Sequence, residues 1–148
     1  MAKSHDSITN PVFGNLRWEP QYSWWFTQVS RPSGELLDVI VEPGDGDRVA
    51  FLKQAARLYP RVMKAERRIL REAIREELLE LYNDVWRQGD EPRLTAHELM
   101  DRLQLSLVNL GTVVPVTLSY EAGELFGGHG VAVEVDDELR FEDIDLRG

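Results

Sequence analysis

The order in which two hydrophobic periods follow one another along the chain constrains the fold most strongly. Val62, Ile69, Leu70, Ala73, Ile74, Leu78, Leu81, Tyr82 and Val85 recur at three- and four-residue steps. That spacing predicts a helix with a wide apolar stripe, reaching about Arg87 and ended by Gly89 and Pro92. On either side the pattern turns β-rich. Val12 to Trp18, Tyr22 to Val29 and Leu36 to Glu42 read as a meander, cut by Glu19-Pro20 and Arg31-Pro32-Ser33-Gly34. After the helices come Leu105 to Leu110, Val113 to Tyr120, a long run from about Glu124 to Val135, and a short one near Leu139 to Phe141.

The central block reads as three helices. Asp47 caps one that Pro60 ends, and Pro60 opens the second at its first position, where a missing N–H is no loss. Thr95-Ala96-His97-Glu98 is a capping box that announces a third, ending near Leu103. Val114, Val116, Leu118 and Tyr120 alternate with polar residues, as do Val131, Val133 and Val135, so the sheet has one dry face that needs a cover. The expected fold class is α+β: a mainly antiparallel sheet, from strands before and after a central helical block, with three helices packed on one face. Pro115 places its strand at an edge or a bulge. Residues 1–10 read as a flexible tail and residues 11–148 as a single α+β domain.

A chain of 148 residues with 43% hydrophobic and 29% charged residues can build one core without staples. The absence of cysteine removes disulfides, thiolate nucleophiles and thiolate metal sites, and it permits a reducing compartment. Met1 to Pro20 lack the apolar core of a secretory signal, and no stretch is apolar for the ~20 residues a bilayer requires. The expectation is a cytoplasmic protein without a membrane partner. A net charge of -9 argues against nucleic acid. Glu134 to Asp145 is an acidic end that includes Asp136 and Asp137; it either steers a basic protein partner or keeps the chain solvated.

No motif carries chemistry. Gly44-Asp45-Gly46-Asp47-Arg48-Val49 lacks the third glycine and the lysine of a phosphate loop, its aspartates repel phosphate, and it also fails as a calcium loop. His5, His97 and His129 are scattered and form no metal set, and the His97–Asp101 spacing alone is weak. No catalytic residue, cofactor or metal is assigned. The long helix is basic in its first half and acidic in its second, against the helix dipole.

His129 is the residue most worth locating. Taken as one strand, Glu124 to Val135 points its imidazole to the dry face. Gly127, Gly128 and Gly130 leave space around it. Either His129 is a core histidine bonded to Asn83 or Asp84, or it lines a ligand pocket with Trp86. In Tyr22-Ser23-Trp24-Trp25-Phe26, the expected core face is Tyr22, Trp24 and Phe26. Trp25 then lies on the wetter side, as a partner or homodimer contact or covered by a loop or the N-terminal tail.

Phe13-Gly14 with Leu16, Leu81-Tyr82-Asn83-Asp84-Val85-Trp86, Leu125-Phe126-Gly127-Gly128-His129 and Phe141-Glu142-Asp143-Ile144-Asp145-Leu146 together resemble an uncharacterised bacterial domain family. The resemblance spans about residues 12 to 147. It implies no activity; some members look like immunity or accessory proteins of toxin systems. The family pattern often has Trp where this chain has Gly128, which implies a more open surrounding for His129. The leading expectation is a non-enzymatic protein-binding protein of immunity or accessory type. The alternative is a small-ligand binder or enzyme with a pocket around His129.

Overall fold

A computed structural model describes residues 7–148. Eight strands lie side by side in chain order: β1 (Ser7–Asn10), β2 (Gly14–Glu19), β3 (Trp24–Ser30), β4 (Leu36–Val41), β5 (Gln104–Leu110), β6 (Val116–Glu121), β7 (Gly130–Val135) and β8 (Phe141–Arg147). Neighbours are antiparallel except β4 and β5. That parallel pair is where the helical block intervenes, since parallel neighbours need a long crossover. The fold is therefore mixed α+β with a mostly antiparallel sheet. The first six residues of the expected tail lie outside the described residues. Ser7–Asn10, also assigned to that tail, form edge strand β1 against β2.

Three rows of side chains make the inner face. Trp18, Trp25, Val41, Leu110, Val116 and Val135 are level with one another across β2 to β7. Val39, Val108, Leu118 and Val133 form the next row, and Leu37, Tyr120 and Val131 belong to the third; all are buried. Thr27 interrupts the aliphatic middle row and is buried there because its hydroxyl donates to the Asn15 carbonyl at 2.7 Å. The dry face demanded by the alternation of β6 and β7 is present.

Its cover is two helices, not three. Asp47 caps the long helix Arg48–Ala73 through the N–H groups of Val49 and Ala50. Pro60 lies inside that helix and does not end it. A proline removes one helical bond and crowds the preceding turn at a cost of about 3 kcal/mol. Here Tyr59 and Val62 on either side are buried, with the Tyr59 ring edge-on to Phe13 at 5.2 Å, and such packing sets helix stability in a folded chain. The rod then continues through a π-helical segment (Ile74–Leu78), one α turn (Leu79–Leu81) and a second π-helical segment (Tyr82–Trp86). The wider winding is visible in the Arg87 N–H, which reaches back five residues to the Tyr82 carbonyl at 2.7 Å. The remaining helix, Ala96–Asp101, opens on the expected capping box: Thr95 N–H to Glu98 at 2.9 Å and Glu98 N–H to Thr95 at 3.2 Å. These backbone and hydroxyl bonds hold the Glu98 carboxyl below its ordinary range.

Two strand expectations change. β6 starts at Val116 and lies between β5 and β7, so it is no edge; Pro115 sits just ahead of the ladder and its carbonyl closes a turn with the Gly111 N–H at 3.2 Å. The run from Glu124 is strand only from Gly130, because Gly127 and Gly128 take φ +64° and +85°, left-handed values that end an extended chain.

Candidate functional site

The residues ahead of β7 form successive turns: Leu125 N–H to Ala122, Gly127 N–H to Glu124 and His129 N–H to Phe126 carbonyls, at 3.1 to 3.2 Å. This loop packs on the C-terminal end of the rod. Phe126 is fully buried, with Tyr82 and Trp86 edge-on to it at 6.0 and 6.2 Å. Trp86 therefore belongs to this end of the molecule, and Gly127 must be small there: a Cβ would meet the Trp86 ring at 3.0 Å. Between loop, rod and short helix lies a cleft of about 660 Å³, lined by Tyr82, Trp86, Glu91, Arg102, Glu124 and Gly127 among others.

His129 is half-buried beside this cleft but does not line it. Its Nδ1 lies 2.8 Å from the Phe126 carbonyl, so that nitrogen carries the proton and the ring braces its own loop. Neither sequence-expected partner touches it. Asn83 instead clamps the backbone of Leu94 with two bonds of 2.9 Å, and Asp84 pairs with Arg93 at 3.0 Å. Gly128 is exposed and its nearest side-chain neighbour is Glu124.

Trp25 requires a correction. It is 4% exposed on the inner face, packed edge-on to Trp18 at 5.1 Å, so it offers no surface to a partner or a second copy. The alternation in β3 holds but with the opposite phase, because Trp25 is level with Trp18 and Val41. Gln28 and Ser30, polar and in phase with Trp24 and Phe26, carry the signal in the sequence. On the outer side Trp24 donates to Glu19 at 2.8 Å and stacks on Tyr22 at 4.6 Å. That bond, ahead of the nearby Arg17, lowers the Glu19 carboxyl from its usual range. The Trp25 Nε1–H has no acceptor among the described residues.

The acidic end divides into two. Asp136 is a turn residue, accepting the N–H groups of Glu138 and Arg140 at 2.9 Å in the β7–β8 connection, while Asp137 is exposed. Beyond the turn, β8 is an edge strand that runs alongside the rod: Arg68 reaches the Leu139 carbonyl at 3.1 Å near one end. Farther along, Ile144 faces the π-wound half. There a groove of about 370 Å³ has Leu81, Val85 and Ile144 as its apolar floor and Glu76, Glu77, Glu80 and Asp84 along its rim. Val85 is 68% exposed in this groove. No Lys or Arg lines it.

A family described as "Uncharacterized protein conserved in bacteria (DUF2262)" matches residues 10–146. The chain belongs to DUF2262. The match takes in both the loop before β7 and the groove beside β8, so the two candidate sites lie within the DUF2262 region. No curated protein and no solved structure matches the chain.

Within this DUF2262 chain, sequence reading missed a buried pair. Glu66 is 5% exposed on the inner side of the long helix and its Oε2 accepts the Tyr120 hydroxyl at 2.6 Å. The signal was present: Glu66 falls four residues after Val62 and three before Ile69, on the apolar stripe itself. Burial, and then the Glu66 charge, push the Tyr120 phenol well above its usual range. Among the described residues no group of His, Asp and Glu is arranged to hold a metal, and no helix is long and apolar enough to cross a membrane.

Proposed function

We propose that the protein is a non-enzymatic binding protein of the bacterial cytoplasm, which captures a basic amphipathic segment of a protein partner in the groove between the rod and β8. The groove's composition carries the reading: an exposed apolar floor with four carboxylates on its rim and no cation. Apolar side chains of a partner cover Leu81, Val85 and Ile144, while its lysines or arginines meet the rim. Arg93 already occupies Asp84 in part, which leaves Glu76, Glu77 and Glu80 as the open acids. The net charge of -9 steers such a segment over a longer distance. An immunity or accessory role agrees with this mode of action. A cysteine-free composition suits a reducing compartment.

Titration with a synthetic peptide of helical Leu/Lys pattern tests the groove. Amide shifts are expected at Glu76 to Val85 and at Ile144, weakening with salt as screening grows. The double variant Glu77→Lys, Glu80→Lys is expected to weaken binding by about tenfold or more, equivalent to roughly 1.4 kcal/mol. Binding that ignores this reversal, or shifts that map elsewhere, reject the groove.

The rival reading, a small-ligand binder or enzyme around His129, draws support from the 660 Å³ cleft but not from His129, whose ring bonds its own loop.

A further inference from the structure

We propose that a second site, centred on Glu66 and Tyr120 and separate from the groove, binds a small zwitterion of the free amino acid class, its ammonium on Glu66 and its carboxylate on Arg31 and Arg67. Glu66 is the one charged side chain buried among the described residues. It forms no ion pair there, and its described hydrogen bond is the one from Tyr120. Taking a carboxylate out of water costs several kcal/mol unless donors or a cation replace the solvent. One neutral hydroxyl satisfies one lone pair of about four. The rest of the carboxylate faces a cavity of about 250 Å³ between the β3–β4 turn, the long helix and the start of β5.

The other charges around that cavity are unequally engaged. Glu35 accepts from Gln104 at 2.6 Å, and Asp101 faces His97 at 3.4 Å. Arg31 makes only a long bond of 3.4 Å to the Leu105 carbonyl, and Arg67 has no described partner. Both guanidiniums are close enough to Tyr120 to oppose the rise of its phenol. The groups with bonding capacity left are thus a carboxylate on the inside and two guanidiniums lining the same cavity, a pattern complementary to an ammonium and a carboxylate on one small molecule. Guanidinium also suits the flat carboxylate better than a point charge does. The cavity is smaller than the roughly 300–1,000 Å³ of drug-sized pockets, which limits the occupant to about the size of a single amino acid.

The test is a titration of the intact protein with glycine, serine, leucine, aspartate and glutamate, followed by NMR shifts of Tyr120 and its neighbours, with acetate and methylammonium as half-ligands. At least one amino acid is expected to bind at concentrations up to about 10 mM, with either half-ligand about tenfold weaker or worse. Glu66→Gln and, separately, the exposed Arg67→Ala are each expected to weaken it by about tenfold, with circular dichroism unchanged. Arg67→Ala keeps the test open should the Glu66 variant fail to fold. The site is overturned if no amino acid shifts these signals, if acetate alone binds as tightly, or if binding survives Arg67→Ala unchanged. None of these outcomes touches the groove, whose probe is a basic peptide.

Discussion

The two halves of the rod share one job on their inner side and differ in everything else. From Arg48 to Ala73 the winding is regular and the exposed side chains are largely basic, among them Arg57, Arg61, Lys64, Arg67 and Arg71. From Ile74 to Trp86 the winding is mostly π-helical and the exposed charged side chains are Glu76, Glu77, Glu80 and Asp84, with Arg75 the exception. Both halves bury apolar residues completely, Val62 and Ile69 in one, Leu78 in the other. The charges run against the helix dipole in both, a small but repeated cost. One intrahelical pair, Arg68 with Glu72 at 2.9 Å, joins the blocks where they meet. The rest of the acidic block has no such partner within the rod. The π winding widens each turn and rotates the faces, so the acidic side comes to flank Ile144 of β8 while Leu78 still faces inward.

Removing a core anchor from each half tests that division most severely. Ile69→Ala and Leu78→Ala each empty a fully buried position, and each is expected to cost about 2–5 kcal/mol in denaturant unfolding. The two should differ in a second readout. Leu78→Ala loosens the π-wound half and is expected to weaken capture of a Leu/Lys peptide, whereas Ile69→Ala leaves it unchanged. Equal loss of capture in both variants would erase the distinction between the halves.

How much of this the sequence discloses follows from the range over which each signal acts. Local, short-range chemistry is legible: the Asp47 cap and the Thr95–Glu98 box both form where the residues predict. So does the inward alternation of Val131, Val133 and Val135. What fails depends on partners far away in the chain. Pro60 reads as a helix end because its local cost is plain, while the burial of Tyr59 and Val62 that offsets it is contributed by distant strands. Trp25 has the right period and the wrong phase: Gln28 and Ser30 mark the outer face locally, but the aromatic run Tyr22, Trp24 and Phe26 outweighs them until β2 and β4 are seen to bring Trp18 and Val41 level with Trp25. For His129 the period-two pattern runs on through two glycines, and left-handed backbone at Gly127 and Gly128 breaks it. Of the site, the acidic second half of the rod is legible, but the groove itself is not, because it forms only where Ile144 of β8 lies beside Leu81 and Val85.

Each half is also tied down by one buried polar side chain, and these anchors rank next. Asn83 holds the segment after the rod by donating to the Leu94 carbonyl and accepting its N–H, both at 2.9 Å and both buried. Asn83→Ala leaves two buried backbone groups without partners, at about 1–3 kcal/mol each before relaxation. The expected net loss is about 2–4 kcal/mol in urea unfolding, with faster amide exchange at Leu94. Unchanged exchange at Leu94 would show that the clamp is dispensable.

The first half's anchor is Glu66 to Tyr120, and its removal is expected to cost least. Tyr120→Phe deletes one hydroxyl and leaves Glu66 without its described donor, a loss of about 1.5–3 kcal/mol for a bond to a charged group at neutral pH. The pH dependence makes the assignment specific. The folded protein holds the Tyr120 proton well above the usual phenol range, while the unfolded chain releases it near about pH 10. Above that pH the folded state binds more protons than the unfolded one, so stability falls as pH rises. The phenylalanine variant lacks this contribution. The stability gap between wild type and variant should therefore narrow from about pH 10 upward, whereas the gap for Asn83→Ala, which has no titrating group, stays constant. A gap for Tyr120→Phe that is flat across the same range would mean that burial and the Glu66 charge do not hold that proton, and the two anchors would no longer differ in kind.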